Sequence, residues 1–371
     1  MFNIIVTTTF GIEAITGKEL KNLGYEDLTV ENGKITFEGD EMDVAICNIH
    51  LRTAERVFIE MANFEAKSFE ELFQGTKKVD WGSLIPVDGK MHITGKSIKS
   101  TLHSVPDCQS IVKKAVVEKM KEKYNTNWFS EEGPVYKIEV GILKDRVTLA
   151  LDTSGVGLHK RGYRENAGTA PLKETLAAAL VLIAKFSGDE LLIDPFCGSG
   201  TIPIEAALIA KNIAPGVNRH FVSETWPTFD KEMWEQVRDG ARRAVNKKEF
   251  VIQASDIDGR VLRTGMNNAE KAGVKDYINF QKLDMKDVKN RKKCGMIITN
   301  PPYGERLMDE QEVTALYKTF SHVYSQLEDW SCYVLTSYEE FQKTFGRKAD
   351  KNRKLYNGRI QCYYYQYNPK K

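Results

Sequence analysis

Two periodicities divide the chain. From Asn3 to Leu151, short runs alternating between apolar and polar positions are interleaved with isolated helical stretches. Asn3 to Thr8 predicts a strand, and Ile12 to Leu23 a helix closed by Gly24. Leu28 to Glu31 and Ile35 to Phe37 flank Asn32-Gly33, a strong hairpin signal. A second α+β stretch follows, with a strand near Arg56 to Phe64, a helix near Phe69 to Gln74 and a strand near Met91 to Thr94. A helix from about Gln109 to Tyr124 carries Ile111, Val112, Ala115, Val116 and Met120 on one apolar face. A hairpin, Tyr136 to Leu143 and Val147 to Leu151 around Lys144-Asp145, closes this half.

From about Gly162 helices and strands alternate. Helix Leu172 to Ala184 precedes strand Leu191 to Ile193; a helix to Ala210, strand Phe250 to Ala254, helix Arg260 to Ala272 and strand Ile278 to Lys282 follow. Strand Met296 to Ile298, helix Val313 to Leu327 and strand Ser331 to Thr336 complete the series, which predicts a doubly wound, largely parallel sheet. The end differs: Lys354 to Tyr356 and Arg359 to Tyr367 flank Asn357-Gly358, a second type I′ signal that makes the last strand antiparallel. The division expected is a small N-terminal α+β unit (1–48), a second α+β domain (49–155) and an α/β domain (162–371).

Composition narrows the setting. A chain of 371 residues suits two or three domains. The formal net charge of +2 demands no nucleic-acid partner by itself, so any such surface is local. No apolar stretch reaches the ~18 residues that span a membrane, and no basic, then apolar, leader opens the sequence. The six cysteines are scattered without a Cys-x-x-Cys pair, which suggests neither a zinc site nor a disulfide framework; a cytoplasmic protein without metal is the expectation.

The chemistry concentrates at strand ends. Leu191 to Ile193 runs into Asp194-Pro195-Phe196-Cys197-Gly198-Ser199-Gly200-Thr201 and then a helix. Gly198 and Gly200 let the backbone approach a ligand and take positive φ, and the helix N-terminus offers unpaired N–H groups. Neither a dinucleotide fingerprint nor a P-loop is present; Asp194 suits a cationic amino-acid head group. The next strand ends in Ser255-Asp256-Ile257-Asp258, where Asp256 is placed for ribose hydroxyls and Asp258 for a helix cap. The third ends in Leu283-Asp284-Met285: Asp284 is a candidate acceptor for an adenine amine, with Ile257 and Met285 on the ring faces. Asn300-Pro301-Pro302-Tyr303 follows the fourth strand. An exocyclic base amine is a poor nucleophile because its lone pair is delocalised into the ring. The Asn300 side-chain oxygen and the Pro301 carbonyl can draw its N–H groups toward a tetrahedral geometry, Pro302 stiffens the loop, and Tyr303 offers a face for an extruded base.

Asp194 to Thr201 and Asn300-Pro301-Pro302-Tyr303-Gly304-Glu305-Arg306 together resemble the THUMP-domain RNA guanine-N2-methyltransferases, in particular the N-terminal half of the fused bacterial large-subunit rRNA enzyme. The resemblance covers essentially the whole chain, including Leu158-His159-Lys160-Arg161-Gly162-Tyr163-Arg164 and Ala170-Pro171-Leu172-Lys173-Glu174. It implies S-adenosylmethionine as methyl donor, with S-adenosylhomocysteine as product, a ferredoxin-like fold for residues 1–48 and a THUMP module in residues 49–155 that binds RNA. The catalytic domain is then a Rossmann-like class I methyltransferase with a mixed seven-stranded sheet. Pro171 and Leu172 line the donor pocket in that family, joining Asp194, Pro195, Phe196, Gly198, Gly200, Thr201, Asp256, Ile257, Asp284, Met285 and Asn300. The fused form carries a second methyltransferase domain, which this sequence does not contain.

Candidate RNA contacts are Lys96, Lys99, Lys113 and Lys114 in the lysine-rich stretch that ends at Lys123, and His159, Lys160, Arg161 and Arg164 at the domain junction. Arg219 to Trp234, with Trp226 and Phe229, reads either as a flap near the donor or as core. The basic run Arg347 to Lys354 precedes a parallel strand and is expected on a sheet edge away from the donor, serving solubility and not substrate binding. Alternatives are adenine-N6 methylation of DNA or RNA, a tRNA guanine-N2 methyltransferase, a non-catalytic RNA-binding assembly factor and, distantly, a nicotinamide dehydrogenase. The expected substrate is 23S-type rRNA, with no obligatory protein partner.

Overall fold

The computed structural model describes residues 1–164, 172–289, 292–303 and 310–369. Its N-terminal half contains β1 (Phe2–Thr8), α1 (Glu13–Asn22), β2 (Thr29–Glu31), β3 (Lys34–Gly39), α2 (Glu41–His50), β4 (Ala54–Glu65), α3 (Phe69–Lys77), β5 (Lys90–Ile98), α4 (Val105–Tyr124), β6 (Val135–Leu143) and β7 (Arg146–Asp152). These seven strands form one sheet, in the order β2-β3-β1-β4-β7-β6-β5. The twelve-residue β4 pairs with β1 on one side and β7 on the other, fusing the two expected α+β units. The boundary expected after residue 48 falls inside α2, a helix the apolar pattern did not reveal. Its start is fixed by a capping box: Asp40 accepts from the amides of Met42 and Asp43 at 2.9 and 3.1 Å, and Asp43 accepts from the Asp40 amide at 2.8 Å.

The second half contains α5 (Glu174–Ala184), β8 (Leu192–Asp194), α6 (Thr201–Ala210), α7 (Lys231–Arg243), β9 (Ile252–Asp256), α8 (Gly259–Lys271), β10 (Ile278–Lys282), β11 (Gly295–Thr299), α9 (Glu310–Ser325), β12 (Trp330–Thr336), α10 (Phe341–Phe345), β13 (Lys351–Asn357) and β14 (Ile360–Tyr367). The sheet order is β10-β9-β8-β11-β12-β14-β13. Strands β8 to β12 are mutually parallel where they pair, and β14 runs antiparallel to both its neighbours. The order reverses between β8 and β11, so a cleft opens at their carboxyl ends. No helix among the described residues is long and apolar enough to cross a membrane.

The turn types differ from those predicted. In both Asn-Gly hairpins only the glycine has positive φ, Gly33 at 76° and Gly358 at 64°, whereas a type I′ turn needs two such residues. In the second, Asn357 pairs with Ile360, so the loop is Gly358-Arg359 and glycine takes its first position. Two consecutive positive φ values occur instead at Lys144 and Asp145, 51° and 64°, between β6 and β7.

The segment between α6 and β9 joins the N-terminal core, not a flap over the cleft. Trp226, Phe229, Met233, Trp234 and Ala241 share a buried cluster with Val57, Tyr136 and Leu151. Trp226 stacks on Tyr136 at 4.7 Å between centroids and donates to the Val135 carbonyl at 3.0 Å, while the Gly216 amide donates to Ile49 at 2.9 Å. The junction is further sewn by Arg52, which donates to the Ile213 carbonyl at 2.6 Å, and by Glu55, which accepts from Lys173 and Thr175 at 2.9 and 2.8 Å.

Candidate active site

The glycine turn is held from below and behind. Gly198 has φ 52° and Gly200 φ 82°. A Cβ on Gly200 would meet the Gly265 backbone at 3.4 Å and the Phe280 ring at 3.3 Å, so glycine is needed for helix-to-strand approach. A Cβ on Gly198 would meet nothing nearer than Val261 at 3.9 Å; that side faces open space. Asn268 on α8 donates to the Ser199 carbonyl at 3.1 Å and the Cys197 amide donates to Ser255 at 2.9 Å, which fixes the loop over β9.

The three strand-end acids occupy different environments. Asp194 is 1 % exposed; its Oδ1 accepts from the Thr299 hydroxyl at 2.6 Å and the Phe196 amide at 3.2 Å. Burial pushes its carboxyl up to about 7, Asp256 adds to the rise, and the two hydrogen bonds oppose it. Asp256 accepts from the Gly198 amide at 3.0 Å and the Asp258 amide at 2.9 Å, tying the second strand end to the glycine turn. Asp258 accepts from the Arg260 amide at 2.8 Å and caps α8. Asp284 accepts from the Lys286 amide at 3.1 Å and pairs with its ammonium at 3.0 Å; these hold its carboxyl below the usual range. Ile257 stands 67 % exposed beside Asp256, whereas Met285 is buried in the core with Phe196 packed against it. Met285 therefore offers no free face to a ring, contrary to expectation, because the short turn after β10 folds it inward. Pro195 and Leu172 are buried and Phe196 is half-buried, its ring edge-on to Phe320 at 5.7 Å. Pro171 lies outside the described residues.

Asn300 directly follows β11, which pairs with the strand that carries Asp194. Its Oδ1 is buried and has no hydrogen-bond partner among the described residues. A buried acceptor without a donor costs ~1–3 kcal/mol, so its retention points to a ligand. Pro301 is buried, and the Pro302 carbonyl accepts from the Tyr317 hydroxyl at 3.0 Å. That hydroxyl also meets Thr336 at 2.9 Å, anchoring the loop to β12. Tyr303 is half-buried, with its hydroxyl at Asn357 and 3.7 Å from the Cys362 sulfur, so the β13–β14 hairpin backs the ring. Thr299 and Tyr317 were not singled out from sequence: a threonine inside a strand and a tyrosine on an amphipathic helix carry no local sign of these roles.

The expected RNA contacts are dispersed. Arg161 is buried; it donates to the carbonyls of Leu158 (2.7 Å) and Arg52 and lies 3.5 Å from Glu205, so it closes the domain junction and cannot reach a phosphate. His159 lies 3.5 Å from Glu55, and Lys160 is exposed. Arg164 turns toward the glycine helix: it donates to the Thr201 hydroxyl at 2.5 Å and the Leu172 carbonyl at 3.2 Å, lies 3.7 Å from Glu174, and its buried Nε has no partner among the described residues. Lys96 pairs with Glu139 at 2.8 Å and Lys113 with Glu131 at 2.9 Å; Lys114 lies over the Phe73 ring at 5.8 Å. Lys99 is exposed, at φ 50°.

Residues 161–366 match the family model described as "RMKL-like, methyltransferase domain". The chain belongs to this methyltransferase family. The RMKL-like domain is preceded by matches to an RlmL ferredoxin-like domain over 3–58 and a THUMP domain over 66–152. The chain is 50 % identical over 369 residues to the Bacillus subtilis protein named "Putative RNA methyltransferase YpsC", covering 99 % of this chain and 96 % of that one. It is 34 % identical to the "Ribosomal RNA large subunit methyltransferase K/L" of Psychromonas ingrahamii, covering 98 % of this chain but spanning 49 % of that protein. Among solved structures, a "predicted N6-adenine-specific DNA methylase" from Listeria monocytogenes superposes with TM-score 0.95 at 50 % identity, covering 100 % of this chain and 96 % of that one. SMU.472, described as a "putative methyltransferase" and complexed with S-adenosylhomocysteine, superposes with TM-score 0.95 at 41 % identity, covering 100 % of this chain and 98 % of that one.

Proposed function

We propose that this RMKL-like protein transfers a methyl group from S-adenosylmethionine to an exocyclic amine of a base in RNA, guanine N2 of large-subunit rRNA being the target. One observation carries the reading: the unpartnered Asn300 oxygen, an acceptor for which an amine N–H is the natural complement. The donor fits the residues present. Gly198 leaves a cradle that a Cβ would fill, Asp256 stands at the strand tip for ribose hydroxyls, and Asp194 is a buried carboxyl suited to a cation. Arg164, at the first turn of α6, is reassigned from RNA to the donor's carboxylate. When bound, the donor supplies an electrophilic methyl on a sulfonium. The chain supplies geometry: Asn300 Oδ1 and the Pro301 carbonyl hold the amine, and Tyr317 fixes the loop that carries them. Tyr303 supports the extruded base, so positioning contributes most of the rate.

The glycine cradle gives a direct check on the donor site. Gly198→Ala and Gly200→Ala each place a side-chain-bearing residue at positive φ, costing ~1–2 kcal/mol. Only the Gly198 methyl projects into the open cradle. Gly198→Ala is expected to abolish the rise in melting temperature given by S-adenosylhomocysteine, while Gly200→Ala destabilises the apo protein more. Equal ligand-induced shifts in Gly198→Ala and wild type would remove the donor from this turn.

The RNA reading rests on the THUMP match and the rRNA-methyltransferase relative; the name given to the Listeria protein favours adenine N6 on DNA. Nucleoside mass spectrometry of separated rRNA, tRNA and genomic DNA, with and without the gene, discriminates these readings. Loss of N2-methylguanosine from large-subunit rRNA is the expected result. Loss of N6-methyladenosine, or loss confined to tRNA, would replace the proposed substrate.

A further inference from the structure

The paired lysines of α4 contrast with an unpaired set elsewhere. Lys119, Lys121 and Lys123 meet Glu122, Glu118 and Asp80 at 3.4, 3.0 and 3.4 Å, so this face is close to neutral. Between α1, the end of α5 and edge strand β13 lies a groove of about 540 Å³. Lys18, Lys185, Lys351 and Arg353 line it, and none has a carboxylate partner among the described residues. The groove's one acid, Glu19, is committed to the amides of Arg52 and Thr53 at 2.9 and 3.0 Å and to the Thr53 hydroxyl.

An exposed aromatic, Phe10, directly precedes Gly11, whose carbonyl is held by Arg353 of the groove lining. Phe10 is 56 % exposed and packs against Gly33, where a Cβ would come within 3.2 Å of its ring. Its turn is not loose. Glu13 accepts from the amides of Gly11 and Gly33 at 2.8 and 3.0 Å, and Arg353 donates to the Gly11 carbonyl at 3.1 Å. Gly11, at φ 92°, lies so close to β13 that a Cβ would sit 2.5 Å from the Lys354 carbonyl. Three residues further along β13, ~10 Å at the rise of a strand, Asn357 meets Tyr303. A rigid aromatic face and a cationic trough therefore lead away from the base-binding tyrosine along one strand.

We propose that this groove receives the single-stranded RNA flanking the target nucleotide, with Phe10 stacking a base and Lys18, Lys185, Lys351 and Arg353 holding phosphates. The proposal rests on the RNA reading above and adds its path. It reverses the expectation that the basic run Arg347 to Lys354 serves solubility, because β13 borders the domain junction instead of facing solvent alone. Stacking on an aromatic together with a charged trough is how sequence-tolerant single-strand binding is built.

The test is binding of a fluorescein-labelled single-stranded RNA of mixed sequence to full-length protein across a salt series. Lys18→Gln/Lys351→Gln is expected to weaken binding at least fivefold and lower the salt slope by ~1.4. Phe10→Ala is expected to weaken it about fivefold. Lys119→Gln/Lys121→Gln on α4 is expected to stay within twofold, and S-adenosylhomocysteine is expected to stabilise every variant as it does wild type. Wild-type affinity in the groove variants, or equal loss in the α4 variant, overturns the path while leaving the RNA reading intact. A wild-type protein that does not bind RNA overturns both.

Discussion

Asn300→Ala is expected to lower methyl transfer ~10²- to 10³-fold, the scale seen when one preorganised polar group is removed from a reacting centre, while the folded protein melts at or above the wild-type temperature. The two halves of that result have one cause. The Asn300 oxygen is buried without a partner, so folding has already met its desolvation cost. Removing it relieves the apo protein and takes away the acceptor that orients the amine. Methyl incorporation into rRNA from cells lacking the gene, together with a thermal melt, measures both. Transfer within tenfold of wild type would remove Asn300 from the chemistry. A large drop in melting temperature would instead make it a structural residue.

Asp194→Asn is expected to abolish stabilisation by S-adenosylhomocysteine and to raise apo stability at pH 8. Burial lifts the Asp194 carboxyl from an ordinary 3.8 to about 7, so the folded state holds this proton more tightly than the unfolded chain. Its contribution is fully present below about pH 4 and is lost as pH rises through about 7, a difference on the order of 4 kcal/mol. Asparagine removes that loss and keeps an oxygen for Thr299 and Phe196. A cation bound beside the carboxylate reverses the preference, so ligand binding to the wild type should release a proton at pH 6. Calorimetry in buffers of different ionisation enthalpy reads that proton directly. A variant that still gains its full melting shift from the ligand would show that Asp194 does not hold the head group.

The catalytic half was legible because its signals are local. An apolar run, an acid, a glycine turn and a helix all fall within Leu191 to Ile209, and alternation of strands and helices fixes the class of sheet. The antiparallel β14 was readable from a turn, although the turn is Gly358-Arg359 and not the Asn-Gly pair. What sequence missed depends on partners far away in the chain. Arg161 and Arg164 look like phosphate ligands until Glu205, Thr201 and the Arg52 carbonyl are brought beside them. Trp226 and Trp234 lie inside the catalytic stretch of sequence, yet their burial is supplied by β6 and α2. The Asp40-x-x-Asp43 cap of α2 was a local signal, obscured because the helix follows directly on β3.

The loan of α7 and its aromatic cluster from the catalytic stretch to the N-terminal core has a genetic consequence. A cut near residue 160 looks like a clean seam in the sequence, but it does not release two self-sufficient pieces. The front piece loses the indole that caps Tyr136, and the back piece is left with an amphipathic helix whose buried face, Met233, Trp234 and Ala241, has nothing to pack on. Swapping RNA-recognition modules between such enzymes by simple fusion therefore breaks both halves. A new front module has to arrive together with its matching insert between α6 and β9, so the two stretches are expected to change in concert.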